Sequence, residues 1–154
     1  MRTLKIPAET VTEQHILDYE RDGVVCIKNA ISMDFIEMLR PAADWCRQNP
    51  GPHDREIANK EGQFYGGQFM WLRNREFKEF LFNSPAGAVA ARLLRSNHIQ
   101  LFYDFLLTKQ PGAENPTPWH QDRLYYPLAG RGADRLPSLW IALDPVTLKS
   151  GGME

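Results

Sequence analysis

Near residue 99 the chain changes its hydrophobic period, and that change limits the folds open to it. Upstream, apolar residues recur at helical spacing: Phe35, Leu39, Ala43 and Cys46 form one stripe, Phe77, Phe80 and Leu81 a second, Val89 and Leu93 a third. Downstream, Ile99 to Lys109 is rich in aromatic and β-forming residues, with shorter runs of the same kind at Arg123 to Tyr126 and Ser138 to Leu143. Helices first and strands afterwards indicate an α+β fold rather than a βαβ alternation. The expected organisation is a single domain over 1–154, mainly helical over 1–98 and β over 99–154.

Local punctuation sharpens this outline. Thr10-Val11-Thr12-Glu13 has capping-box spacing, and Asp22-Gly23 supplies the stop of the first helix. Val24 to Ile27 reads as a short buried strand. Ser32 opens a second helix that Pro41 is expected to kink or split, and Asn49-Pro50-Gly51-Pro52 ends it and opens a polar loop to about Gln63. Asn74 and Ser84 read as caps of two short helices, the second with Pro85 at its first position. The prolines of Pro111 to Pro118 forbid ladder pairing there. Ala129-Gly130-Arg131-Gly132 is a further loop, and Ser150-Gly151-Gly152 a turn leading into a strand at Met153-Glu154.

Composition excludes several function classes. With 43% apolar and 24% charged residues the chain reads as globular rather than disordered. Its 18 Lys and Arg against 19 Asp and Glu leave no electrostatic footprint for nucleic acid or an anionic membrane. The first residues lack the apolar run of a signal peptide, and nothing approaches a transmembrane span. Cys26 and Cys46 make no C-x-x-C and read as two buried, reduced thiols of a cytoplasmic protein.

The chemistry is concentrated in Trp119-His120-Gln121-Asp122. On an extended segment, residues two apart face the same way, so His120 and Asp122 present an imidazole and a carboxylate side by side. Together they make two thirds of a facial triad for non-haem iron(II). Alone the pair is a weak signal: four histidines and nine aspartates in 154 positions give roughly one chance occurrence in four such chains. Its context is stronger. A strand ending in Lys109 and a Pro/Gly loop precede it, and Ser138-Leu139-Trp140-Ile141-Ala142-Leu143-Asp144 and Ser150-Gly151-Gly152-Met153-Glu154 follow.

In that order, Lys109-x-Pro111-Gly112, Pro118-Trp119-His120-Gln121-Asp122 and Trp140-Ile141-Ala142-Leu143 resemble the phytanoyl-CoA dioxygenase family, from the Asp22-Gly23 helix end to Glu154. The resemblance implies N-terminal helices packed on the first strands of a double-stranded β-helix, or jelly roll, with 99–154 forming only part of it. It makes His120 and Asp122 catalytic metal ligands for iron(II). Lys109 and Trp140 would line the pocket of the co-substrate 2-oxoglutarate, with Gln121 facing co-substrate or substrate. The implied activity is hydroxylation of a small organic substrate. The family pattern also contains a distal histidine and an arginine that fall outside this sequence. The expectation is therefore a fragment lacking its C-terminal strands and inactive alone. His15, His53 and His98 lie upstream and match no part of the motif.

Some readings stay open on the residues themselves. Trp140 is core or pocket wall. Tyr103, Phe105 and Leu107 share a strand face with Lys109 and are core or substrate pocket. A non-catalytic jelly-roll or cupin-like module holding a ligand or zinc is the alternative, since an open three-ligand site also suits zinc. The substrate is not legible, although 51–67 and 128–135 are candidate loops for it, and oligomeric state is left open.

Overall fold

The computed structural model describes residues 10–56, 64–110, 117–126, 135–150 and 152–153. The fold is α+β. Its elements are α1 Glu13–Asp22, α2 Met33–Gln48, β1 Arg55–Glu56, β2 Phe64–Gln68, α3 Met70–Arg73, α4 Arg75–Asn83, α5 Ala86–Leu93 and β3 Phe105–Lys109, with 3-10 turns at Asp122–Tyr125 and Leu148–Ser150. The chain divides into two units interleaved in sequence: Met1–Ala30, Pro85–Gln100 and Thr117–Ile141 form the first, Ile31–Ser84, Leu101–Pro116 and Ala142–Glu154 the second.

In the first unit α1 and α5 share a core of Val11, Ile16, Val89 and Leu93, with Tyr19, Val25, Ile27 and Ala30 packed against it. The cap of α1 begins at Thr12 rather than Thr10. Thr12 Oγ1 accepts from the His15 amide at 3.2 Å, and the His15 ring takes the place usually held by a glutamate, accepting from the Thr12 amide at Nδ1, also at 3.2 Å. Gly23, at φ 75°, ends the helix with its N–H donated to Tyr19 O at 2.9 Å. Val24 to Ile27 is not a strand. Val25 and Ile27 face the core while Val24 and Cys26 are exposed, so burial alternates without a ladder partner among the described residues. Cys26 is therefore not the buried thiol expected.

Beyond α5, Arg95 takes a left-handed φ of 47°. Its guanidinium pairs with Glu20 at 2.8 Å and with Glu13. Ser96 N–H closes the turn on Ala91 O at 2.9 Å.

In the second unit a three-stranded antiparallel sheet runs in the order β1-β2-β3, with Tyr65 opposite Thr108 and Gln68 opposite Phe105. α2 runs unbroken through Pro41, whose missing N–H forfeits one helical bond, because Ile36, Leu39, Ala42 and Cys46 bury one continuous stripe. Phe35 and Phe80 join α2 to α4 edge-to-face at 5.6 Å. Asn74 caps α4 by accepting from the Phe77 amide at 3.1 Å. Ala86 opens α5 with Pro85 as its N-cap, one position earlier than expected for the proline.

A polar network lies beneath the sheet. Asp54 Oδ2 accepts from the Gly51 amide at 2.7 Å, from Arg73 Nη2 at 2.5 Å and from the Tyr65 hydroxyl. Arg73 also donates to Asn49 O at 2.6 Å. Burial, and the Asp54 carboxylate beside it, push the Tyr65 phenol above its ordinary pKa. Gly67 leaves room for a close approach here: a Cβ would stand 2.6 Å from the Tyr65 hydroxyl and 2.8 Å from the Met70 methyl, so both side chains would have to shift.

The strand expected over Ile99 to Lys109 is paired only from Phe105, because its partner β2 ends at Gln68. There Phe69 turns the chain into α3 with a left-handed φ of 57°. The Phe69 amide donates to Asp104 O at 3.1 Å, and the Asp104 carboxylate accepts from the Trp71 amide at 3.0 Å. Burial pushes the Asp104 carboxyl up to about 6 against the lowering effect of the Trp71, Asp104 and Met70 amides. α3, β1 and β2 are additions to the sequence outline: β1 lies inside the polar loop expected to about Gln63, and β2 begins directly after it.

Arg123 to Tyr126 is likewise not a strand but is largely taken up by the 3-10 turn Asp122–Tyr125. Ser138 to Leu143 is outside any ladder of the described residues. The loop positions 111–116 and 129–132, and Gly151 and Glu154 of the final turn, lie outside the described residues.

Candidate metal centre

Asp122 opens the 3-10 turn that the Leu124 amide closes on Gln121 O at 3.2 Å, so His120 and Asp122 do not share a strand face as expected. They converge nonetheless. His120 Nε2 and Asp122 Oδ1 are 3.2 Å apart, with side chains 36% and 42% exposed. Two neighbouring ligands about 2.1 Å from an octahedral ion stand about 3.0 Å apart, so this spacing suits both gripping one cation.

Each of the two side chains is braced from its far side. His120 Nδ1 lies 2.8 Å from Pro118 O, and since a carbonyl only accepts, that nitrogen donates and Nε2 is the one left facing Asp122. Asp122 Oδ2 accepts from the Ser138 hydroxyl at 2.5 Å. Tyr125 stands edge-on to the His120 ring with centroids 5.7 Å apart. A borderline nitrogen donor and a hard oxygen donor, both partly open to solvent, fit iron(II). Among the described residues no third His, Cys, Asp or Glu joins the pair.

The remaining residues singled out by the sequence are distributed over both units. Gln121 and Trp140 are exposed and belong to the unit that holds His120 and Asp122. Lys109 ends β3 in the other unit, where its ammonium lies 5.4 Å from the centre of the Phe64 ring. Phe105 and Leu107, on the Lys109 side of β3, are exposed, whereas Leu106 is buried; the core alternative therefore does not hold for these two.

Ser138 and the Pro118 carbonyl were missed. A serine sixteen residues past the motif has no spacing signal, and a carbonyl carries no sequence signal at all. The second unit also contains a cavity of about 220 Å³ lined by Pro52, His53, Gln68, Phe69, Leu72 and Arg73 among others. Histidine 53 packs edge-on to Phe69 there, at 5.6 Å. No described helix is long and apolar enough to cross a membrane.

No curated protein and no solved structure matches the chain. The family model of phytanoyl-CoA dioxygenase matches residues 19–154, a span that contains His120, Asp122, Pro118 and Ser138. The chain belongs to the phytanoyl-CoA dioxygenase family.

Proposed function

We propose that the chain supplies the His-x-Asp ligands and part of the co-substrate pocket of an iron(II)- and 2-oxoglutarate-dependent dioxygenase, built on a jelly roll, that hydroxylates a small organic substrate. Family membership supports an oxygenase in general. The observation that carries the specific reading is the 3.2 Å approach of His120 Nε2 to Asp122 Oδ1. When bound, iron(II) with 2-oxoglutarate and dioxygen as co-substrates would supply the oxidising power for C–H hydroxylation, one oxygen atom entering the product and the other the succinate left when the 2-oxo acid loses carbon dioxide.

The protein's share is position and charge. The Pro118 carbonyl accepts from His120 Nδ1–H and so fixes the ring with Nε2 toward the place an ion would occupy. Lys109 offers a point charge to a co-substrate carboxylate, and Trp140 a flat wall with one donor. Gln121 sits between the ligands, and its amide serves as donor or acceptor to co-substrate or substrate. A carboxylate at position 122 also fills the place a halide would need, so the product is hydroxylated rather than halogenated.

The test measures succinate released by the protein, given iron(II), ascorbate, dioxygen and 2-oxoglutarate. Asp122→Ala and His120→Ala should each lower release by more than about a hundredfold. Release at the parental rate from either variant would overturn the assignment.

A further inference from the structure

We infer that Ser138 is a positioning residue that restricts Asp122 to one-oxygen coordination, an inference that rests on the dioxygenase reading above. The two carboxylate oxygens of Asp122 face different partners: Oδ1 lies against His120 Nε2, and Oδ2 accepts the Ser138 hydroxyl. A carboxylate can ligate through one oxygen or chelate through both. On a six-coordinate ion that distinction is decisive. Each oxygen that Asp122 would give to the ion takes a position that a co-substrate could otherwise occupy.

To chelate, the carboxylate must release the Ser138 hydroxyl, and hydrogen bonds to charged acceptors are stronger than neutral ones. Ser138 therefore sets the number of open positions without touching the metal. It is free to do so because it lies in a segment outside any described ladder, where its side chain is exposed and takes no part in the core.

Valine and threonine have nearly the same shape and differ by the hydroxyl, so Ser138→Val and Ser138→Thr isolate the bond. The first readout uses cobalt(II) as the probe and infrared difference spectra with isotope-labelled aspartate. The separation of the two carboxylate stretches narrows when a carboxylate changes from single-oxygen binding to chelation. Ser138→Val should narrow it and Ser138→Thr should keep the parental value. The second readout is succinate release, which should fall about tenfold or more in Ser138→Val and recover in Ser138→Thr.

Identical spectra for parent, valine and threonine variants would overturn the inference while leaving the dioxygenase reading intact, provided His120→Ala abolishes cobalt binding. If the parent binds no cobalt(II) through His120, the dioxygenase reading fails and this inference fails with it. The exposed position of Ser138 means that both variants should keep the parental urea midpoint, so a folding defect does not mimic either result.

Discussion

Asp54 and Asp122 are the same residue put to opposite uses. The Asp54 side chain is 3% exposed and spends one oxygen on an amide, a phenol and a guanidinium that tie the Gly51 turn to β2 and α3. Asp122 is 42% exposed, has one oxygen braced by a hydroxyl, and turns the other toward an imidazole with solvent beside it. A buried carboxylate facing a permanent cation puts its charge into holding structure together. A carboxylate left half open beside an imidazole keeps capacity for a ligand. The lesson is that burial and the choice of counter-charge, rather than the residue type, separate a structural aspartate from a candidate ligand in this chain.

That contrast is breakable by measurement. Arg73→Ala leaves Asp54 as a buried charge without its counter-ion and should cost about 3–5 kcal/mol, read as a fall in the urea midpoint at constant slope. A loss below about 1 kcal/mol would place Asp54 with the surface pairs instead.

Asp104 gives the next largest effect. Its folded pKa is raised to about 6 from 3.8, so its favourable contribution is complete below the unfolded value and is lost as pH rises through about 6. Asp104 is only partly buried, so solvent screening trims a shift of that size to about 1–2 kcal/mol. Asp104→Asn keeps an acceptor for the Trp71 amide and should be more stable than the parent at pH 8, with the difference gone by pH 4. Denaturation across that pH range checks the sign.

Thr12→Ala removes the hydroxyl of the α1 capping box and should lower stability by about 1 kcal/mol, measurable by the same titration. The smallest effect belongs to the other aspartate: Asp122→Ala should shift stability by less than about 0.5 kcal/mol while removing metal-dependent turnover. A large stability loss there would collapse the contrast with Asp54.

What the sequence made legible follows from the range of the forces involved. Helices α1, α2, α4 and α5 were readable because their caps and stripes are local: Gly23, Asn74 and the Cys46 stripe each act within a few residues. The strands were less so. Five residues of β3 pair because β2 supplies five partners, and β2 itself, Phe-Tyr-Gly-Gly-Gln, reads as a turn until Tyr65 and Met70 close over Gly67. In the site, the ligand pair was visible as a triplet, although the turn at Asp122 brings the two side chains together in place of a shared strand face. The Ser138 brace was invisible, because a hydrogen bond between positions sixteen apart leaves no mark in local spacing.

The two cysteines give the molecule a native clock. Cys26, in the first unit, is exposed, whereas Cys46, in the second, is fully enclosed, and burial raises its thiol pKa. An alkylating reagent therefore has immediate access to one thiol and reaches the other only when the seam around α2 transiently opens. With reagent scarce and closing fast, the labelling rate of Cys46 relative to that of Cys26 reports the population of the opened state at equilibrium. Breathing of the helix-and-sheet unit can thus be timed in the unaltered chain, with the exposed thiol serving as the internal reference.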